Sequence, residues 1–295
     1  MGRLLLTTGI LLAFFTTFSC SSPQKSTQEE QANLYYQHGT SKLISHEYTD
    51  ALDNLIKAHQ LNGKDSKICN NLGMAYYFKN ELARAEFYLK KALDLDAKNS
   101  DARNNLASLY FERGLFDLAK KEYLKIKNDL VYKNQYRTYY NLAHISLKER
   151  KISEAIQNLN SSLKENFDYC PAHFLLGKIE FGQERYQKAY ENFREASMGT
   201  CVNNPEPHYE QARCLIKLSR FNDAAEKLEY LIAKFPNDRL AVTATQTLNQ
   251  IKSSNNSLTR RPSYEPNSFE MSESSNDFST KENDENDEYF NSPQF

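Results

Sequence analysis

The sequence predicts an all-α solenoid of about six helix-turn-helix units closed by a cap helix, and three observations predict it. Small residues recur in one register at Gly39, Gly73, Ala107, Ala143, Gly177 and Ala212, in steps of 34 to 36 residues. Twelve residues beyond each stands an alanine (Ala51, Ala85, Ala119, Ala155, Ala189, Ala224), and four residues later a large side chain (Leu55, Leu89, Tyr123, Leu159, Phe193, Leu228). A period of about 20–50 residues marks a stacked array, and an Ala followed one turn later by a large residue on the same face marks a helix. Composition agrees. Nine glycines and eight prolines in 295 residues leave too little turn chemistry for an all-β domain, which needs a turn every ~8–12 residues, and none to spare for a Gly-rich phosphate loop.

Taken in order, residues 1–19 open with a single Arg3 before an apolar run from Leu4 to Phe18. That run is about 15 residues, shorter than the ~20 a helix needs to span a bilayer, and reads as a signal peptide. With Cys20 following Ser19, the segment resembles a bacterial lipoprotein signal, in which Cys20 becomes the lipidated first residue. Thr17 and Phe18 depart from the aliphatic and small residues usual there. Cleavage elsewhere, or an uncleaved anchor, is the alternative. Residues 20–31 carry this Cys and a polar run, SSPQKSTQEEQ, expected to be an unstructured tether of at most ~40 Å.

The solenoid is expected over 32–252, with units near 32–65, 66–99, 100–135, 136–169, 170–204 and 205–238. In each, the small residue of the first helix lets the second approach closely, and small against large is how helical layers interdigitate. Pro236-Asn237-Asp238 is a helix-start signal, so 239–252 reads as a cap helix. The last segment, 253–295, holds three basic and nine acidic residues without periodicity and is expected to be a disordered acidic tail. The chain's net charge of −1 averages over these unlike parts and gives no reason to expect nucleic acid.

The register resembles the tetratricopeptide repeat, most clearly in Asn71-Leu72-Gly73-Met74-Ala75-Tyr76-Tyr77 and in Phe221-Asn222-Asp223-Ala224-Ala225 with Pro236. The resemblance implies a right-handed superhelix whose groove, lined by first helices, binds a protein. Four residues after and three before each small residue are read as inner positions. They place Tyr36, Leu43, Tyr77, Phe111, Tyr140, Leu147, Phe174, Phe181, Tyr209 and Ile216 along an apolar wall suited to a helix or extended segment with exposed apolar side chains. Packing within the stack is the competing role for the same residues. Basic residues on this wall, Lys178, Arg213 and Lys217, fall in the last two units, where the acidic tail is expected to be able to fold back as an occupant.

No catalytic or metal constellation is apparent. The six histidines lack the spacing of a zinc site, and no nucleophile-elbow, Walker or haem motif occurs, so neither enzyme, cofactor, metal nor small-molecule substrate is expected. Behind a signal peptide the compartment is oxidising. Cys170 opens a first helix and Cys201 follows the end of its partner helix, so a Cys170–Cys201 disulfide is expected, with Cys201–Cys214 as the competing arrangement.

Lipoprotein signal, polar segment and six repeats together resemble the PilF/PilW/Tgl family of type IV pilus biogenesis lipoproteins. The two-residue insertion and Leu130-Val131-Tyr132 between the third and fourth units look like that family's junction. The resemblance implies a pilotin, an outer-membrane lipoprotein facing the periplasm that binds secretin subunits and promotes their localisation or assembly. Ser21 in place of Asp gives no inner-membrane retention signal. The acidic tail departs from the family. A general periplasmic adaptor that recruits cell-wall hydrolases or envelope assembly machinery is the alternative.

Overall fold

In this computed structural model the structure is described for residues 23–259 except 128 and 130. The signal segment, Cys20, Leu130 and the tail from 260 onward therefore lie outside the described residues. Among those described there are thirteen α-helices and no strand. They form six antiparallel pairs: α1 (Pro23–Ile44) with α2 (Tyr48–Leu61), α3 (Ser66–Phe78) with α4 (Leu82–Leu95), α5 (Ser100–Glu112) with α6 (Phe116–Ile126), α7 (Gln135–Lys148) with α8 (Ile152–Glu165), α9 (Cys170–Gly182) with α10 (Tyr186–Ala196), and α11 (Glu206–Lys217) with α12 (Phe221–Lys234). Helix α13 (Arg239–Thr259) closes the stack. Each helix packs chiefly on its sequence neighbours, as a solenoid requires.

The repeating unit is a clasp. A Cβ added to Gly39 would stand 2.6 Å from Leu55 Cγ, one on Gly73 2.8 Å from Leu89 Cγ, and one on Gly177 2.7 Å from Phe193 Cε1. Ala107, Ala143 and Ala212, with Tyr123, Leu159 and Leu228 sixteen residues later, are likewise sealed from solvent. Each pair also turns the same way. The residue seven after the small one sits in the left-handed region with φ near +60° (His46, Asn80, Arg150, Glu184, Ser219) or +72° (Gly114), and the next N–H reaches back to the first helix, as in Glu81 N to Tyr76 O at 2.9 Å and Lys151 N to Ser146 O at 2.7 Å. This closes the helix C-terminus and satisfies carbonyls it would otherwise strand.

Both ends of the solenoid extend beyond the sequence-based bounds. Residues 23–31, expected as an unstructured tether, belong to α1. Pro23 occupies the first helical position, where its missing N–H costs nothing, and the Gln- and Glu-rich run after it has no helix breaker. Ala32 is buried against Ala58 and Ile68, and Gln28 Nε2 donates to Leu61 O at 3.3 Å, so the extension is tied to the first pair. At the other end α13 buries Ala241, Ala244, Leu248 and Ile251 and runs on through Thr259, past the expected stop at 252, because no proline intervenes before Pro262.

Two connections break the repeat. Helices α6 and α10 have 11 residues where the other second helices have 14, and longer linkers, 127–134 and 197–205, replace the missing turn. Cys201 of the second linker forms a disulfide with Cys170, the first residue of α9, with Cα atoms 6.3 Å apart, while Cys214 is buried and free. The first linker is held by hydrogen bonds, Ser100 Oγ to Asp129 Oδ2 at 2.5 Å and Tyr132 Oη to Asp101 Oδ1 at 3.1 Å.

Candidate protein-binding face

First helices of the middle units are buried on almost every side, and this decides which expected wall residues are accessible. Helix α5 buries every residue from Ala102 to Phe111 except Arg103. Tyr140 and Phe174 are 0% and 1% exposed, and Phe111 is 7% exposed, so these three are core residues and not part of an open wall. The reason is lateral packing. Tyr169, at the end of the α8–α9 connection, meets Tyr140 edge-on with ring centroids 5.4 Å apart, His144 lies 4.6 Å from the same ring's centroid, and Phe174 tilts against Phe193 at 5.4 Å. Tyr36, Leu43, Tyr77, Leu147, Phe181, Tyr209 and Ile216 are half-buried, each packed against a core cluster.

Accessible apolar surface lies one position further on, in a row the register analysis did not single out. Five residues after each small residue stand Ile44, Phe78, Glu112, Lys148, Gly182 and Lys217. Ile44 is 75% exposed and Phe78 39% exposed. Tyr48 stacks on Phe78 with ring centroids 4.5 Å apart, Tyr77 meets Phe78 edge-on at 5.3 Å, and His46 Nδ1 lies 2.8 Å from Tyr48 Oη. Beside them is a cavity of about 490 Å³ lined by His46 to Asp50 and Phe78 to Asn80. Lys42 pairs with Glu47 at 2.6 Å, and Lys79 donates to the Thr49 hydroxyl at 3.1 Å. The turns of the first two units thus present an edge with exposed apolar side chains. The row was visible in the sequence as an apolar-to-charged change along the register.

A polar chain runs beneath that edge. Asn105 Nδ2 donates to Asn70 Oδ1 at 2.9 Å, Asn70 Nδ2 to Asn71 Oδ1 at 3.0 Å, Asn71 Nδ2 to the Thr40 hydroxyl at 2.7 Å, and Thr40 to Tyr36 O at 2.8 Å. It links the first helices of three successive units, and such chains strengthen cooperatively in a low-dielectric interior. Burial holds the Tyr36 phenol above its ordinary range, so it remains a neutral hydroxyl.

The opposite end is not the basic wall expected for the tail. Residues 170–238 hold nine basic and ten acidic side chains. Arg213 is bonded to Glu210 at 2.9 Å and its guanidinium lies 4.8 Å over the Phe181 ring, while Lys178 faces the carboxyl of Glu206. A cleft of about 500 Å³ opens there between the disulfide-tied linker and the start of α13, lined by Thr200, Cys201, Glu206, Asp238 and Arg239 among others. Burial is the main cause that raises the Glu206 carboxyl to about 7, and burial also lowers His208 to about 4, with Lys227 and Lys234 adding to the effect. Among the described residues no cluster of His, Cys, Asp and Glu is arranged to hold a metal ion, and no helix is long and apolar enough to cross a membrane.

With this geometry in hand, models of the tetratricopeptide repeat match residues 79–130 and 136–169. These residues are tetratricopeptide repeats. The chain is 24% identical over 162 residues to the type IV pilus assembly protein PilF of Pseudomonas aeruginosa, covering 55% of this chain and 64% of that protein. It is 32% identical over 117 residues to the anaphase-promoting complex subunit CDC16 of Saccharomyces cerevisiae, covering 37% of this chain and 14% of that protein. The chain therefore spans less than two thirds of the length of the curated relatives it matches. The solved structure of Pseudomonas aeruginosa PilF superposes with a TM-score of 0.63 at 20% identity, covering 75% of this chain and 99% of that chain. That of PilW, a type IV pilus biogenesis factor, gives 0.62 at 18% identity, covering 72% and 98%. The repeats of this chain thus have the architecture of protein-binding scaffolds, shared with pilus biogenesis factors and with a eukaryotic complex subunit.

Proposed function

We propose that this chain is an outer-membrane lipoprotein that acts as a pilotin, promoting localisation or assembly of a type IV pilus secretin through its repeats. The observation that carries the reading is the apolar edge at Ile44, Tyr48 and Phe78, a surface for apolar side chains of an unassembled subunit. The similarity to PilF and PilW supports a setting in type IV pilus assembly, within which the secretin is the partner we propose. The leader supplies the address: lipidated at Cys20, the chain faces the periplasm, held by several acyl chains, which bind far more firmly than one. Because α1 begins at Pro23, only two residues separate Cys20 from the first helix, and the solenoid stands directly on its membrane instead of on a long tether.

Deleting the gene tests the reading. Loss of heat-stable secretin multimers and of surface pili is the expected outcome. Normal multimers in the deletion strain would reject the pilotin and leave the general periplasmic adaptor.

A further inference from the structure

We propose that the acidic segment Glu282–Glu288 of this chain docks on the outer face of α6, in the third repeat. The two surfaces complement each other in charge and in apolar content. Between the first and last pairs of units, residues 100–169 hold twelve basic and nine acidic side chains, the largest positive excess along the solenoid, whereas the last two units carry a small negative excess. Helix α6 turns Ala119, Tyr123 and Ile126 inward. Its outer face then presents Lys121 and Lys125 around Leu118 and Leu124, which are 45% and 46% exposed, with Val131 of the adjoining linker 86% exposed beside Lys133. A shallow cavity of about 430 Å³ on this face is lined by Asp117, Lys120, Lys121, Leu124 and Lys125. Lys121 and Lys133 enter no ion pair among the described residues.

The segment offers the counterpart. Glu282, Asp284, Glu285, Asp287 and Glu288 precede Tyr289 and Phe290, so acids and aromatic rings arrive together. Reach is sufficient: 22 residues lie between Thr259 and Glu282, and the 23 steps of chain span about 75 Å when extended at ~3.3 Å per residue. From α13 to α6 is seven steps in the stack, at most ~70 Å with helix axes 8–10 Å apart. The groove of the last repeats, a nearer target, is less suited: its units hold ten acids to nine bases and Arg213 is paired with Glu210, whereas on the α6 side Lys121 and Lys133 stay out of ion pairs, although Lys120 and Lys125 pair with Glu149 and Glu122.

Carbodiimide cross-linking of the full chain, which joins a carboxylate directly to a lysine amine, tests the contact. Cross-links within one chain between Glu282–Glu288 and Lys120, Lys121, Lys125 or Lys133 are expected. Those to Lys120 and Lys133, whose amines remain, fall roughly five-fold in the double variant Lys121→Glu/Lys125→Glu, and all of them fall at about 1 M salt, where exposed charges are screened within ~3 Å. Lys217→Glu leaves them unchanged. Cross-links concentrated on Lys178 or Lys217, spread evenly over the solenoid, or formed only between chains would overturn the proposal. So would their absence together with Lys121- and Lys125-dependent sedimentation on anionic lipid vesicles, which would make the face a membrane contact instead.

Discussion

The first two repeats and the last two are built on the same clasp, yet they treat their inner edge in opposite ways. At the amino end the turns carry Ile44 and Phe78 into solvent over a hydrogen-bonded chain of asparagines. At the carboxyl end the equivalent places hold Gly182 and Lys217, Arg213 covers Phe181, and a disulfide ties the preceding linker to the fold. In this row the amino end leaves apolar surface open and the carboxyl end does not, although Phe221 in the last turn is itself 40% exposed. The lesson is that a repeat fold fixes the scaffold through buried pairs, while the residue one place beyond the inner row decides whether a turn leaves apolar surface open.

The largest expected effect breaks the support. Replacing Cys170 and Cys201 with Ala releases a loop with a sequence separation of 31 and should lower stability by about 3–4 kcal/mol. Denaturant unfolding with hydrogen exchange should show the loss in the last two repeats, with protection of α3 and α5 unchanged. Uniform loss along the chain would mean that the two ends do not differ in this way.

A pH effect comes next and also belongs to the carboxyl end. His208 is 6% exposed, packed on Tyr230 and Phe235, and held near 4. Its folded pKa lies below the unfolded ~6.5, so the stability it permits is full above pH ~6.5 and is lost as pH falls toward 4, by up to ~3 kcal/mol. Glu206, held near 7, has the opposite sign: stability falls as pH rises from ~4.5 to 7. Melting temperature against pH for His208→Phe should lose the acid-side decline, and Glu206→Gln should lose the decline toward neutrality. Retention of both slopes would place the titration elsewhere.

The smallest effect concerns the turns. Arg150 and Glu184 hold left-handed φ values of 58° and 60°, a conformation that costs an ordinary residue ~1 kcal/mol and glycine little. Arg150→Gly and Glu184→Gly should each stabilise by about 0.5–1 kcal/mol in thermal unfolding, whereas Gly114→Ala, at φ 72°, should destabilise by a similar amount.

How much of this was legible in the sequence follows from the range of each interaction. The clasp was readable because Gly73 and Leu89 lie sixteen residues apart in one hairpin, so a local period reports a tertiary contact. The Cys170–Cys201 pairing was readable for the same reason, since a hairpin brings its two ends together. Tyr140 and Phe174 were misplaced on the wall because their burial depends on Tyr169 and Phe193, whose reach the register does not encode. The start of α1 is not legible from polarity alone, since Gln and Glu are good helix formers and Gln28 finds a partner on α2. Ile44 and Phe78 were legible in principle, as the row next to the one chosen.

We propose that partner binding rests on the amino-terminal edge and not on the whole inner face. Affinity of the Ile44→Asp/Phe78→Asp variant for purified secretin subunits tests it most directly, read beside Phe181→Asp/Ile216→Asp at the other end. The account predicts at least a ten-fold loss for the first variant, about 1.4 kcal/mol or more, with an unchanged melting temperature, and full binding by any folded form of the second. Full binding by the first variant with loss in a folded second would contradict it.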